Sequence, residues 1–213
     1  MVIFMSEHFQ NLNDFPNGKT IKEMRKYAQT NKIPVLNDDG LALMLQLVDL
    51  VKPKHFLEIG TAIGFCVINV ATACDGVVID TIEKNNEMYQ EAVKNVEAAK
   101  MTDRIRISLG DALEFDTSKI DYRFDIIFID AAKAQYVRFF EKFSPFLAED
   151  GIIVSDNLLF HGLVEKDARI ENRNLRSLVD KIRDYNVWLS KQKDFKTLFL
   201  AIGDGMAVTR RLK

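Results

Sequence analysis

From residue 55 to residue 155 the chain alternates short β-branched runs with stretches of helix-spaced apolar residues. No other feature narrows the fold as much. The alternation predicts strands over 55–60, 77–82, 104–109, 124–130 and 151–155. Between them it predicts helices over 64–73, 85–100 and 133–147, the second carrying Met88, Ala92, Val96 and Ala99 at helical spacing. Strands separated by helices in this way demand a parallel sheet covered on both faces. Upstream, Ile21, Met24 and Ala28 mark one face of a helix over 19–30. Asp38 or Asp39 offers the N-cap of a second helix over 40–51, which Lys52-Pro53 ends. Downstream, an amphipathic stretch over 172–190 precedes two short runs, 197–202 and 206–210, around Gly203-Asp204-Gly205. That pattern predicts an antiparallel hairpin. No repeat, charge block or Ser/Gly-rich linker interrupts the chain. Residues 1–213 therefore read as one domain, with 1–51 as an N-terminal helical cap.

Composition bounds the compartment and the partners. Fifteen Phe and five Tyr supply enough core material to exclude wholesale disorder. The longest uncharged run, 59–74, is 16 residues with two Gly, an Asn and two Thr, too short and too polar to span a bilayer. No basic residue precedes Lys19, so no secretory leader is expected. Cys66 and Cys74 on one helix would stand about 12 Å apart along its axis, beyond disulfide reach. Neither has partners spaced for zinc, and a reduced, cytoplasmic compartment is expected. A net charge of −2 argues against a surface coated by nucleic acid. The bases are nevertheless uneven: residues 191–213 hold six against two acids, and residues 19–32 hold five against one. Lys166, Arg169, Arg173 and Arg176 crowd a third stretch.

The chemistry gathers at the predicted strand ends. The first strand runs into Glu58-Ile59-Gly60-Thr61-Ala62-Ile63-Gly64, an E-x-G-x-x-x-G pattern. Gly60 permits close backbone approach, and the helix N-terminus beyond it offers N–H groups to a carboxylate or phosphate. The spacing is neither a dinucleotide fingerprint nor a P-loop. Glu83 ends the second strand, where an acid accepts both hydroxyls of a ribose. Gly110-Asp111-Ala112 follows the third, where an adenine edge would lie. Each of these also reads as ordinary turn or cap chemistry, but the three at successive ends of one sheet line a single crevice. Together they describe a nucleoside cofactor with an amino-acid tail, and S-adenosylmethionine fits. The fourth strand ends in Asp130 and the fifth in Asp156-Asn157. Neighbouring strands lie about 4.8 Å apart, so two carboxylates and an amide oxygen converge in a set suited to a hard cation such as Mg²⁺. Lys133, three residues after Asp130, projects to the same side as a potential base.

With LEIGTAIGF (57–65), TIEKN (81–85), GDALE (110–114), FIDAAKAQY (128–136), SDNLLFHG (155–162) and GDGMAVTRR (203–211), the chain resembles the cation-dependent O-methyltransferases of the catechol and caffeoyl-CoA type. Within that group it is most similar to the bacterial branch that methylates 5-hydroxyuridine in tRNA anticodon loops. The resemblance implies a class I methyltransferase fold: an α/β, Rossmann-like, doubly wound sheet, mostly parallel and closed by the antiparallel hairpin. It implies cofactor contacts from Met44, Glu58, Gly60, Thr61, Gly64, Cys66, Glu83, Asp111, Ala112 and Asp130. It implies Asp130, Asp156 and Asn157 as Mg²⁺ ligands, and Lys133 with Asp130 as catalytic residues. Relatives are typically homodimers, with the first helices and the last hairpin as interface elements. One departure stands out: Phe65-Cys66 replaces the usual Tyr-Ser, exchanging a hydroxyl donor for a weak thiol.

On this reading an acidified hydroxyl oxygen attacks the sulfonium methyl group in line, in a crevice that holds both reactants. A tRNA partner fits local docking through the three basic stretches, with a flipped base entering the pocket. The alternative acceptor is a small catechol-like compound. A non-catalytic nucleotide-binding protein and an NAD-dependent oxidoreductase fit less well: the first leaves Asp130, Lys133, Asp156 and Asn157 unexplained, the second conflicts with the glycine spacing.

Overall fold

The computed structural model describes residues 12–13, 15–165 and 170–212. Its elements run α1 (Lys19–Asn31), α2 (Asp38–Val51), β1 (His55–Ile59), α3 (Phe65–Ala73), β2 (Val78–Glu83), α4 (Asn86–Ala98) and β3 (Ile105–Leu109). They continue with β4 (Phe124–Ile129), α5 (Tyr136–Phe143), β5 (Leu147–Ser155), α6 (Arg173–Ser190), β6 (Phe195–Leu200) and β7 (Met206–Arg211). The strands form one seven-stranded sheet in the order β3-β2-β1-β4-β5-β7-β6. The pairs among β1 to β5 are parallel, whereas β7 runs antiparallel to both β5 and β6. This is the doubly wound sheet with a terminal hairpin that the sequence predicts.

Period-two alternation divides the core between the two sheet faces. Phe56 of β1 joins Ile21, Met24 and Ala28 of α1, with Met44, Val48 and Phe65, on one side. Leu57 and Ile59 face the other, with Tyr136, Phe139, Phe140 and Phe143 of α5 and Tyr185 of α6. Burying each such large side chain is worth about 1.5–3 kcal/mol. Trp188 and Tyr185 of α6 pack in this second cluster, as core rather than as a platform for bases. In β4 the alternation breaks once: Phe124 shares a face with Ile127 and Ile129, while Ile126 and Phe128 face the opposite cluster. The change of face coincides with a register irregularity between Phe124 and Ile126 against β5.

Several elements differ from their predicted extents, among them β6, which lies at Phe195–Leu200 and not at 197–202. β5 begins at Leu147, not at 151, because the polar Glu149 and Asp150 ride exposed over the irregularity. The helix predicted over 133–147 is three pieces, with single 3₁₀ turns at Lys133–Gln135 and Ser144–Phe146 flanking α5. Pro145 opens the second of these turns and cannot donate into a continuing α-helix. Lys133 accordingly stands on a 3₁₀ turn, not on the first turn of an α-helix. The cap of α2 is Asn37, one residue before the predicted acids, its Oδ1 accepting the Gly40 N–H at 2.8 Å.

Order reverses between β1 and β4, and the chain segments leaving these two strands touch. Gly60 sits at φ 99°, its N–H bonded to Ile82 O at 3.0 Å, while Asp130 N–H bonds Ile59 O at 3.0 Å. A Cβ on Gly60 would fall 2.2 Å from the Asp130 carbonyl oxygen. The glycine is thus required by the protein's own backbone. Gly76 also has a positive φ, 81°, but nothing stands within 4 Å of its Cβ position. We expect Gly76→Ala to cost about 1 kcal/mol of backbone strain and Gly60→Ala more than about 2 kcal/mol. Urea denaturation of the two variants against the wild type measures the difference; equal losses would contradict the packing role of Gly60.

Candidate active site

The C-terminal ends of β1 to β5 and the loop between α1 and α2 enclose a cavity of about 460 Å³. Its walls include Pro34 to Asn37, Glu58 to Ala62, Phe65, Cys66, Ile82 to Lys84, Gly110 to Ala112, Asp130 to Lys133, Gln135, Phe139, Asp156 and Asn157. Because the sheet order is β3-β2-β1-β4-β5, the crevice has two chemically distinct ends. Glu83 and Asp111 stand at the β2–β3 end, and Asp130, Lys133, Asp156 and Asn157 at the β4–β5 end.

At the first end the acids are held by fixed donors. Glu83 is nearly buried; Oε2 accepts the Ala62 N–H at 2.8 Å and Oε1 the Asn85 N–H at 2.7 Å. It therefore ties the loop after β1 to the start of α4 while lining the cavity. Asp111 accepts the Leu113 N–H at 2.9 Å and pairs with Lys84 Nζ at 2.8 Å. The lysine ammonium and that backbone N–H hold its carboxyl below the usual range. Ala112 lies buried beside it.

Glu58, between the two ends, is 1% exposed. The Thr81 hydroxyl donates to its Oε2 at 2.7 Å, and Thr81 in turn shares a hydrogen bond with the Thr61 hydroxyl. Burial pushes the Glu58 carboxyl up to about 8, against hydrogen bonds from Thr81 and Cys66, with Asp130 and Glu83 adding repulsion. The Cys66 thiol is likewise pushed up, by burial first and by Glu58 next. It is an inert donor to Glu58, not a nucleophile. Cys66 and Cys74 are both free thiols.

At the second end Lys133 Nζ pairs with Asp130 Oδ1 at 3.1 Å. Asp156 is 3% exposed and takes the Asn157 N–H on Oδ1 at 2.7 Å. Burial raises its carboxyl first and the Asp130 charge second. The Tyr136 hydroxyl donates to the Asp156 carbonyl at 3.0 Å, and Asn157 adopts a left-handed φ of 59°. Among the described residues no three His, Cys, Asp or Glu side chains gather at metal-binding spacing. A cation here would depend on Asp130, Asp156 and the Asn157 amide oxygen together. Two mutually repelling carboxylates, one of them buried, with an amide oxygen form a hard-oxygen set that fits a hard divalent ion.

Two of the expected cofactor residues do not line the cavity. Met44 is fully buried in the core beneath α2, where its side chain packs with the helical cap. Gly64 caps α3 at φ 83°, and its missing side chain faces Ala92 of α4, not the cavity. The loop from Pro34 to Asn37, Gln135 and Phe139 line the site beyond the residues the sequence points to, and Thr81 supports the expected Thr61 from behind through their hydroxyls. Asn37 stands one residue before the acids expected to cap α2, and Gln135 falls within FIDAAKAQY (128–136). His161 is exposed on the loop after β5, its N–H bonded to Asp204. Of the four bases after Asn157, Lys166 and Arg169 lie outside the described residues, while Arg173 and Arg176 are exposed at the start of α6. Among the described residues no helix is long and apolar enough to cross a membrane.

Residues 13–212 match a family model described as O-methyltransferase. A caffeoyl-CoA O-methyltransferase from Populus kitakamiensis is 30% identical over 204 residues, covering 90% of this chain and 86% of the relative. A crystal structure from Staphylococcus aureus, of a protein provisionally assigned as a caffeoyl-CoA O-methyltransferase, superposes with a TM-score of 0.91 at 38% identity. The match covers 96% of this chain and 98% of that one. A Podospora anserina methyltransferase with S-adenosylhomocysteine bound shares the fold, with a TM-score of 0.82 at 21% identity over 100% of this chain and 99% of that one.

The raised Glu58 carboxyl makes a stability prediction. A folded-state value near 8 against 4.5 unfolded means the folded chain holds its proton to higher pH. The cofactor-free protein therefore loses stability as pH rises from about 5 to 8. Asp156 acts with the same sign. We expect Glu58→Gln to flatten this decline and to melt a few degrees above the wild type at pH 8.5, with a smaller gap at pH 5. Scanning calorimetry across that range tests it, and parallel profiles for the two proteins would refute it.

Proposed function

The chain belongs to the O-methyltransferase family, and on that premise we propose that it transfers a methyl group from S-adenosylmethionine to a hydroxyl oxygen. We take the acceptor to be 5-hydroxyuridine in a tRNA anticodon loop, giving 5-methoxyuridine, with Mg²⁺ or another hard divalent cation required. The observation that carries this reading is the two-ended crevice. One end offers acids to a nucleoside, and the other offers a hard-oxygen set beside a lysine.

At the first end Glu83 and Asp111 would accept from ribose hydroxyls and the adenine edge, both oriented in advance by backbone N–H groups. Glu58 and the loop from Gly60 to Ala62 would receive the methionine end. A sulfonium loses its charge as the methyl leaves, so the buried setting between β1 and β4 favours transfer over the charged ground state. At the second end Asp130, Asp156 and Asn157 would hold the cation, whose chemistry is to acidify the acceptor hydroxyl. Lys133, entering the step as the neutral amine, would take the hydroxyl proton on Nζ as the oxygen–carbon bond forms and the carbon–sulfur bond breaks. Asp130, 3.1 Å away, stabilises the resulting ammonium.

The polar character of the acceptor end supports a pyrimidine: Asn37, Gln135, Lys133 and Asn157 line it with groups that match ring carbonyls and N–H. Arg173 and Arg176 at the start of α6, and Lys196 opposite Arg210 on the terminal hairpin, offer exposed charge for phosphates. Balanced net charge confines such a contact to a local surface.

Two experiments test the proposal. Removing divalent ions with EDTA should abolish transfer, Mg²⁺ should restore it, and Asp156→Ala should lower kcat by about 100-fold or more. Full activity of that variant without metal would refute the cation's role. Nucleoside mass spectrometry after incubation with labelled cofactor should place label in 5-methoxyuridine of hydroxyuridine-containing tRNA, at a rate that falls steeply with added salt. Efficient labelling of a catechol with none in the tRNA would replace this acceptor with a small diol.

A further inference from the structure

The loop between α1 and α2 brings into the cavity an amide whose orientation is fixed by a bond that has nothing to do with substrate. Asn37 Oδ1 accepts the Gly40 N–H at 2.8 Å and so caps α2. With the oxygen committed, Nδ2 is left with two donors and no hydrogen bond to another described residue. Asn37 is nonetheless exposed and part of the cavity wall.

Its position along the crevice follows from the terminal hairpin. A Cβ on Gly203 would stand 2.7 Å from Asn37 Oδ1 and 2.8 Å from Nδ2, so the Asn37 amide lies directly against that turn. The turn is locked to the segment after β5 by Leu158 N–H to Gly205 O at 2.9 Å and Leu159 N–H to Asp204 O at 2.8 Å. Asn37 therefore belongs to the Asp156–Asn157 end, away from Glu83 and Asp111. There Lys133 Nζ is engaged by Asp130 at 3.1 Å, and the Asn157 amide donates to Asp156 Oδ2 at 3.3 Å. The Asn37 amide is a donor held in place with capacity to spare; the Gln135 amide, its Oε1 taken by Arg138 at 3.0 Å, is another, but it stands on the 3₁₀ turn beside Lys133 and not against the terminal hairpin.

We infer that Asn37 is a specificity-determining residue, its Nδ2 donating to a ring carbonyl of the methyl acceptor, with Gly203 kept free of a side chain so that the amide stands there. The inference rests on the reading of the β4–β5 end as the acceptor site. It assigns the acceptor to rings that carry a carbonyl beside the methylated hydroxyl, as a hydroxypyrimidine does. A catechol has no carbonyl for this donor, and a site built around a donor discriminates against a ring that leaves it unpaired.

Serine and aspartate cap helices about as well as asparagine, so Asn37→Ser and Asn37→Asp keep the structural role and remove the amide donor. The measurements are kcat and KM for an anticodon stem-loop RNA containing 5-hydroxyuridine, kcat/KM for a catechol, calorimetric affinity for S-adenosylmethionine, and melting temperature. For Asn37→Ser we expect kcat/KM on the RNA to fall about tenfold, chiefly through KM. Cofactor affinity, catechol turnover and melting temperature should stay near wild type. An unchanged kcat/KM on the RNA, or an equal loss on both acceptors, overturns the assignment of Asn37. A wild-type enzyme that leaves the RNA unmethylated overturns the tRNA acceptor itself, which separates the two failures.

Discussion

The contact between Gly60 and the Asp130 carbonyl is the constraint from which the site follows. Parallel strands β1 and β4 are hydrogen-bonded neighbours, yet the segments leaving them must diverge to opposite faces of the sheet. They separate only after Asp130 N–H has bonded Ile59 O, and that closeness leaves no room for a Cβ at residue 60. The crevice opens immediately beyond this junction, at the point where strand order reverses. Glu58 and Asp130, from the two strands, are thereby brought to one cavity wall with Glu83 and Asp156 on either side.

Crowding acids at one sheet edge has an electrostatic cost that the protein manages unevenly. Asp111 is relieved by Lys84 and a backbone N–H, and Glu83 by two backbone donors. Glu58 and Asp156 are relieved least, since burial raises both carboxyls despite their hydrogen bonds. A cationic cofactor between β1 and β4 and a cation between β4 and β5 would each settle one of these deficits. On the proposed reading this electrostatic cost preorganises the enzyme for two positive ligands. The thiol at Cys66 fits that scheme as a neutral donor to Glu58 whose own ionisation is suppressed.

Much of the fold was legible because its signals are local. Among the described residues, strand runs and helix periods located each strand and α-helix to within a few residues, and turn chemistry at Gly203-Asp204-Gly205 announced the hairpin. Errors fell where a long-range contact overrode a local pattern: β5 starts early over its irregularity against β4, and Pro145 divides a helix that periodicity made continuous. The acids that line the cavity were legible too, because they stand at or just beyond the ends of successive strands at one sheet edge. Met44 and Gly64 fall outside the cavity wall. Each sits near the motif in sequence, but one points into the core and the other toward α4.

The amino-acid sequence by itself determined the order of the strands and helices, the sheet's mixed direction, and which polar residues end the strands, because each depends on spacing along one segment. Tertiary structure alone decided that Gly60 yields to Asp130, that Thr81 and Cys66 share Glu58, and that Asn37 stands against Gly203 at the far side of the crevice. Those relations join residues from 8 apart, Glu58 and Cys66, to 166 apart, Asn37 and Gly203. No local propensity encodes them, since they exist only once the sheet has brought the loops to one edge.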